Sequence, residues 1–153
     1  MDLIFWRHAE AQDWVAGCDD MARELTPRGE KQAARMAGWL DRQLPEGTRI
    51  LVSPARRTEQ TALALARKYK VRSELAPGCS VAQILELVQW PNAKGTVLVI
   101  GHQPTIGQTI AQLLGFEARE CAVKKGAVWW LRTREREALM QTVVVTVQSP
   151  ELL

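Results

Sequence analysis

Apolar residues in this chain come in short dense runs separated by longer amphipathic stretches, and the two patterns predict different elements. Leu3 to Trp6 is a compact apolar run ending at the polar pair Arg7-His8, the pattern of a buried strand. Arg49 to Ser53 and Thr96 to Ile100 repeat it, the last being the most apolar, and Val71 to Leu75 predicts a short further strand. Between them lie helix signals. Thr26-Pro27 reads as an N-cap followed by proline at the first helical position. The helix it opens carries Ala33, Ala37, Leu40 and Leu44 on one face and stops at Pro45-Glu46-Gly47. Pro54 starts a second helix with Ala55, Thr58, Ala62, Leu65 and Ala66 inward. Ser80 with Gln83 three residues later forms a capping box for a helix through about Val88. Gly101-His102-Gln103-Pro104 leads into a helix ending near Gly115. Residues 10–25, acidic around Asp19 and Asp20, predict a loop. Ala127 to Leu131 and Gln141 to Gln148 flank a charged turn at Thr133 to Glu137, which suggests an antiparallel hairpin.

Strands alternating with helices imply an α/β fold: a three-layer αβα sandwich on a mostly parallel sheet, with an antiparallel C-terminal hairpin. The 153 residues hold no repeat, low-complexity tract or dividing linker, so residues 1–153 are expected to form one domain. In such sheets ligands bind at the carboxyl ends of the strands. Arg7-His8, Ser53 to Arg57 and Gly101-His102 each lie just past such an end. The chain has only two histidines, and both land on that edge.

Composition narrows the function classes. Hydrophobic residues make up 46% and charged residues 24%, ordinary for a globular protein. No apolar run approaches the roughly 18 residues of a membrane span, and the N-terminus has no signal-peptide pattern. Cys18, Cys79 and Cys121 are an odd number without paired spacing, which reads as reduced thiols and a cytoplasmic location. The net charge of +3 leans toward anionic partners but is too small to argue for nucleic acid. Six tryptophans are many for this length; Trp129 and Trp130 would point to opposite faces of a strand, leaving one a candidate for exposure.

Singly, each candidate has an ordinary explanation. His102 could be a core histidine, and Arg56 and Arg57 could be solvated charges at a helix start. Together, two imidazoles and at least two guanidiniums at one strand edge, beside helix N-termini that also favour anions, are far less easily accidental.

These residues also carry a resemblance. Leu3-Ile4-Phe5-Trp6-Arg7-His8-Ala9-Glu10 resembles the first motif of the histidine phosphatase (phosphoglycerate mutase-like) superfamily. Val52-Ser53-Pro54-Ala55-Arg56-Arg57-Thr58-Glu59-Gln60-Thr61-Ala62 resembles the second, whose spacing makes Arg57 the catalytic arginine. Val97 to His102 resembles the third, and Leu25-Thr26-Pro27-Arg28-Gly29 the turn into the first helix. The likeness spans roughly residues 3–110 and in length is most similar to the SixA-type protein-histidine phosphatases. Ala9 departs from it, standing where the family usually has glycine, and its side chain is expected to crowd or shift the backbone near the phosphate.

The resemblance implies His8 as nucleophile, Arg7 and Arg57 as phosphate clamp and His102 as a further donor, with no metal and no cofactor. It implies a phosphohistidine-bearing signalling or phosphotransfer protein as partner. Charge and apolar-run length give no reason to expect nucleic acid or a membrane, and the sequence leaves the oligomeric state open, a monomer being one expectation. An acid for an alkoxide leaving group has two candidates, Glu10 and Glu74. A departing imidazole needs less acid help, which favours phosphohistidine over an ordinary ester. A general phosphomonoesterase on a small-molecule or nucleotide phosphate is the alternative, and a non-catalytic phosphate-binding module is a third reading.

Overall fold

The computed structural model describes residues 1–153. In chain order it runs β1 (Asp2–Arg7), α1 (Pro27–Gln43), β2 (Arg49–Val52), α2 (Arg56–Leu63), β3 (Lys70–Val71), α3 (Val81–Val88), β4 (Thr96–Gly101), α4 (Thr105–Leu114), β5 (Val128–Arg136) and β6 (Leu139–Gln148). One six-stranded sheet has the order β3-β2-β4-β1-β5-β6. Strands β3, β2, β4 and β1 are parallel; β5 runs antiparallel to β1, and β6 antiparallel to β5. This is the expected α/β architecture with its C-terminal hairpin.

The central strands are apolar on both faces because helices cover both faces. Ile4, Trp6, Ile50, Val52, Leu98 and Ile100 pack with Met36, Ala37 and Leu40 of α1 and Ala62 of α2. The alternate residues Leu3, Phe5, Leu51, Val97 and Val99 pack with Ile84 and Val88 of α3 and Ile106 and Ile110 of α4. The period-2 alternation of strands thus divides one apolar run between two cores.

The helix ends follow the expected chemistry. Thr26 caps α1 by accepting the Gly29 N–H at 3.0 Å, with Pro27 in the first turn. The reciprocal Ser80–Gln83 box opens α3, and Gly115 closes α4 in the left-handed region, φ +70°.

Four expectations are corrected. Ala66 is exposed, not inward: α2 ends at Leu63, and the next three amides bond three residues back, tightening the turn so that Leu65 is buried and Ala66 turns out. The third strand shrinks to two residues, and Ser73–Leu75 forms a 3₁₀ turn that tucks Leu75 inward. The hairpin turn lies at Glu137-Ala138, whose φ of 52° and 63° are those of a two-residue reversal. Thr133 to Arg136 stay paired to β6, because the hairpin tip is exposed on both sides and needs no apolar face. Finally, neither Trp129 nor Trp130 is exposed, since each packs against one of the two cores. The exposed tryptophan is Trp14.

Candidate active site

The carboxyl ends of three adjacent strands, β2, β4 and β1, converge on one point. The ladder continues past each strand there: His8 N–H donates to Gly101 O at 3.2 Å, and Ser53 N–H to Ile100 O at 3.1 Å. The His8 carbonyl in turn accepts Gly126 N–H at 3.1 Å, and Arg7 N–H donates to Ala127 O at 3.1 Å. The backbone under His8 is therefore held by the end of β4 on one side and by the segment leading into β5 on the other.

The two histidine rings stand 5.3 Å apart, tilted by 57°, and both are buried. His8 Nδ1 lies 2.8 Å from the Ala9 carbonyl oxygen. A carbonyl only accepts, so Nδ1 carries the proton and Nε2 keeps its lone pair. Burial, then the charges of Arg57, Arg7 and Arg23, push the His8 pKa down to about 4, against the favourable Ala9 bond. Burial, followed by the His8 and Arg57 charges, takes His102 down to about 3. Both imidazoles are neutral at pH 7.

The guanidiniums are anchored from outside the strands. Arg7 Nη1 donates to Val123 O at 2.7 Å, and Arg57, 3% exposed, donates Nη1 to Asp20 O at 2.8 Å and Nη2 to Asp20 Oδ2 at 3.2 Å. Arg57 comes from the first turn of α2, and the Asp20–Ala22 turn of the long loop lies over it. Burial opposes the ionised Asp20 carboxylate, yet the bond from Arg23 and the Arg57 charge hold its pKa below the ordinary value. The sheet and its loops thus bring all four expected site residues, Arg7, His8, Arg57 and His102, to one edge.

The buried side-chain polar atoms without a partner are Arg7 Nε, Arg57 Nε and His102 Nδ1. All three belong to those four residues, and two of them are on cations. Buried donors are paired almost everywhere in native proteins, so such a concentration marks where an absent acceptor belongs. An anion with several oxygens, such as a phosphoryl group, meets that need.

The two acid candidates are engaged elsewhere. Glu10 accepts the Thr26 hydroxyl at 3.0 Å and faces Arg28 at 3.8 Å, at the start of α1. Glu74 pairs with Arg72. Arg56 pairs with Glu24 at 3.1 Å on the exposed side, leaving Arg57 as the inward arginine, as expected. The Ala9 methyl is fully buried and packs with Ala11, Leu25 and Ala33. Its N–H donates to Thr61 Oγ1 at 3.1 Å, and that hydroxyl donates to Arg57 O at 2.8 Å.

Sequence reasoning missed three supports. Ser53 Oγ lies 2.7 Å from His102 Nε2; its place just past a strand was a usable signal. Asp20 and the Val123 carbonyl come from loops, where nothing local marks their contact with an arginine. No group of three or more His, Cys, Asp or Glu side chains is arranged to hold a metal ion, and no helix is long and apolar enough to cross a membrane.

Residues 3–79 match the family model of the histidine phosphatase superfamily, branch 1. The chain is 35% identical over 121 residues to phosphohistidine phosphatase SixA of Escherichia coli strain K12, covering 74% of each chain. It is 33% identical over 131 residues to a phosphohistidine phosphatase SixA homolog of Haemophilus influenzae, covering 75% of this chain and 78% of that one. Among solved structures it is similar to the protein histidine phosphatase SixA complexed with tungstate, with a TM-score of 0.81, 28% identity and 99% of both chains covered.

Proposed function

The chain belongs to the histidine phosphatase superfamily, branch 1, and on that premise we propose that it removes the phosphoryl group from phosphohistidine on a signalling or phosphotransfer protein, through a phospho-His8 intermediate. The observation that carries the reading is the set of unpaired buried atoms on Arg7, Arg57 and His102 around a His8 whose Nε2 is unprotonated. Similarity to a phosphohistidine phosphatase across three-quarters of the chain supports the substrate class.

Phosphoryl transfer spreads charge over three equatorial oxygens in a loose transition state, so positioning and electrostatic stabilisation carry most of the catalysis. In this reading Arg7, Arg57 and His102 hold those oxygens. His8 Nε2 attacks in line, while Nδ1–H stays on the Ala9 carbonyl and stabilises the ring as it gains charge. The substrate's P–N bond breaks, and the departing imidazole leaves neutral when its other nitrogen already carries a proton. Water then attacks phospho-His8, releasing inorganic phosphate and restoring the neutral ring. Glu10 and Glu74 take no part, in keeping with their engagement by Thr26 and Arg72. The neutral resting His8 is ready to react at pH 7.

Residues 1–153 act as one domain in this reading, because β5 from the C-terminal part pairs with β1 beneath the nucleophile. Three free cysteines suit a reducing cytoplasm.

The test compares phosphate release from a phosphohistidine-bearing protein, a phosphoserine peptide and an aryl phosphate, with His8→Ala as control. Fast release from phosphohistidine, absent in His8→Ala, is expected. Release confined to the esters would move the function to a general phosphomonoesterase, and a fully active His8→Ala would remove the nucleophile.

A further inference from the structure

We infer that Ser53 is a positioning residue for phosphoryl transfer: its hydroxyl donates to His102 Nε2 and so places the ring's single proton on Nδ1, where it can be given to a phosphoryl oxygen. The inference rests on the phosphate-pocket reading above and adds to it the protonation geometry of the second histidine.

The bond between Ser53 Oγ and His102 Nε2 is 2.7 Å, short enough to be a strong hydrogen bond, but its direction is a matter of proton accounting. Burial keeps His102 neutral, so the ring has one N–H to place. Ser53 is fully buried. Its oxygen already accepts the Ala55 N–H at 3.3 Å. The hydroxyl proton needs an acceptor of its own, and Nε2 is the acceptor within reach. With Ser53 as donor, every group of the serine is satisfied and Nδ1 becomes the donor left unpaired. Reversing the bond would leave a buried hydroxyl proton without a partner. It would also turn an Nδ1 lone pair, instead of an N–H, toward the incoming oxygens. Both consequences are unfavourable.

The hydroxyl is well placed to act as a fixed reference. Val52 and Ile100 are register partners on β2 and β4, and Ser53 and His102 lie one and two residues beyond them. Ser53 N–H donates to Ile100 O, and its carbonyl accepts the Thr58 hydroxyl at 2.9 Å. The serine is therefore pinned by the strand on one side and by α2, the helix that delivers Arg57, on the other. His8 shows the same device with a different partner, since its Nδ1–H is assigned by the Ala9 carbonyl. Both rings are thus held as the Nδ1–H tautomer, the less populated form of free histidine in water. The two bonds leave opposite jobs: His8 offers a lone pair at Nε2 to phosphorus, and His102 offers a proton at Nδ1 to oxygen.

The chain's two histidines make this directly observable. In the resting protein labelled with ¹⁵N-histidine, two imidazole spin systems are expected, both with a protonated Nδ1 and an unprotonated Nε2; His8→Ala assigns them. Ser53→Ala should return His102 toward the Nε2–H tautomer while His8 stays unchanged. On phosphohistidine, kcat should fall roughly tenfold to hundredfold, less than the hundred- to thousandfold typical of deleting a donor outright, with KM changed far less. Inorganic phosphate should shift the His102 Nδ1 signal in the wild type and do so weakly in Ser53→Ala. An Nε2–H signature for His102 in the wild-type protein overturns the inference, whatever the variant does. So does a folded Ser53→Ala protein with unchanged tautomer and kcat. Because the tautomer is read in the resting protein, this outcome is separate from a failure of the phosphatase reading, which a fully active His8→Ala would show.

Discussion

In the resting site Arg57 donates two hydrogen bonds to Asp20, one to its carbonyl at 2.8 Å and one to its carboxylate at 3.2 Å. If Arg57 clamps the phosphoryl group as proposed, the Asp20 carboxylate engages one of the donors of that clamp. Asp20 orients the guanidinium, and under the proposed function it would also compete with the substrate for it.

That competition predicts the effect of Asp20→Asn. The Asp20 side chain is 43% exposed, so solvent screens the pair and its worth is about 0.5–1 kcal/mol. Inorganic phosphate should inhibit the variant more tightly, by roughly twofold to fivefold, the equivalent of that energy. Competitive inhibition constants measured at fixed pH check it, and weaker inhibition would show that Asp20 mainly positions Arg57.

Acid should destabilise the protein through the two histidines. Their folded pKa values, about 4 and about 3, lie below the unfolded value of 6.5. Between these limits the unfolded chain binds more protons than the native one, so stability rises with pH. The contribution is fully present above about pH 6.5 and is lost as pH falls toward 4 and below. Thermal unfolding should show Tm falling across pH 6.5 to 4.5, with a shallower slope in His102→Gln.

Ala9→Gly should cost stability without changing the chemistry. The methyl is fully buried among Ala11, Leu25 and Ala33, and its loss, with the added freedom of glycine, is worth about 1 kcal/mol. Denaturant unfolding should show that loss while kcat stays within about twofold, well under the tenfold that 1.4 kcal/mol represents.

Gly29→Ala should damage both. A Cβ at Gly29, in the first turn of α1, would overlap the Glu10 carbonyl, two residues from the nucleophile. The helix or the segment after β1 must shift, at about 1–3 kcal/mol. A lower Tm together with a lower kcat is expected, and an unchanged kcat would show that the shift is absorbed by the helix.

Much of the fold is legible in the sequence because its signals are local. The apolar run Leu3 to Trp6 needs no partner to read as a strand, and Thr26-Pro27 and Ser80 with Gln83 announce helix starts by their own hydrogen-bonding capacity. The placing of Arg7, His8, Arg57 and His102 on one edge is legible in the same way, from strands whose carboxyl ends an α/β sheet gathers to one side, while the preference for Arg57 over Arg56 comes from the spacing of the motif it resembles. Tertiary structure decided the rest, wherever the deciding partner is distant in the chain. Whether Thr133 to Arg136 turn or pair depended on β6 and on a hairpin tip no helix covers. Asp20 met Arg57 from 37 residues away, and Ser53 met His102 across 49. A sequence shows which groups can donate or accept, but the orientation of each ring and guanidinium is set by the partner that the fold brings to it, at the strand ends for the two histidines and from the loops for the two arginines.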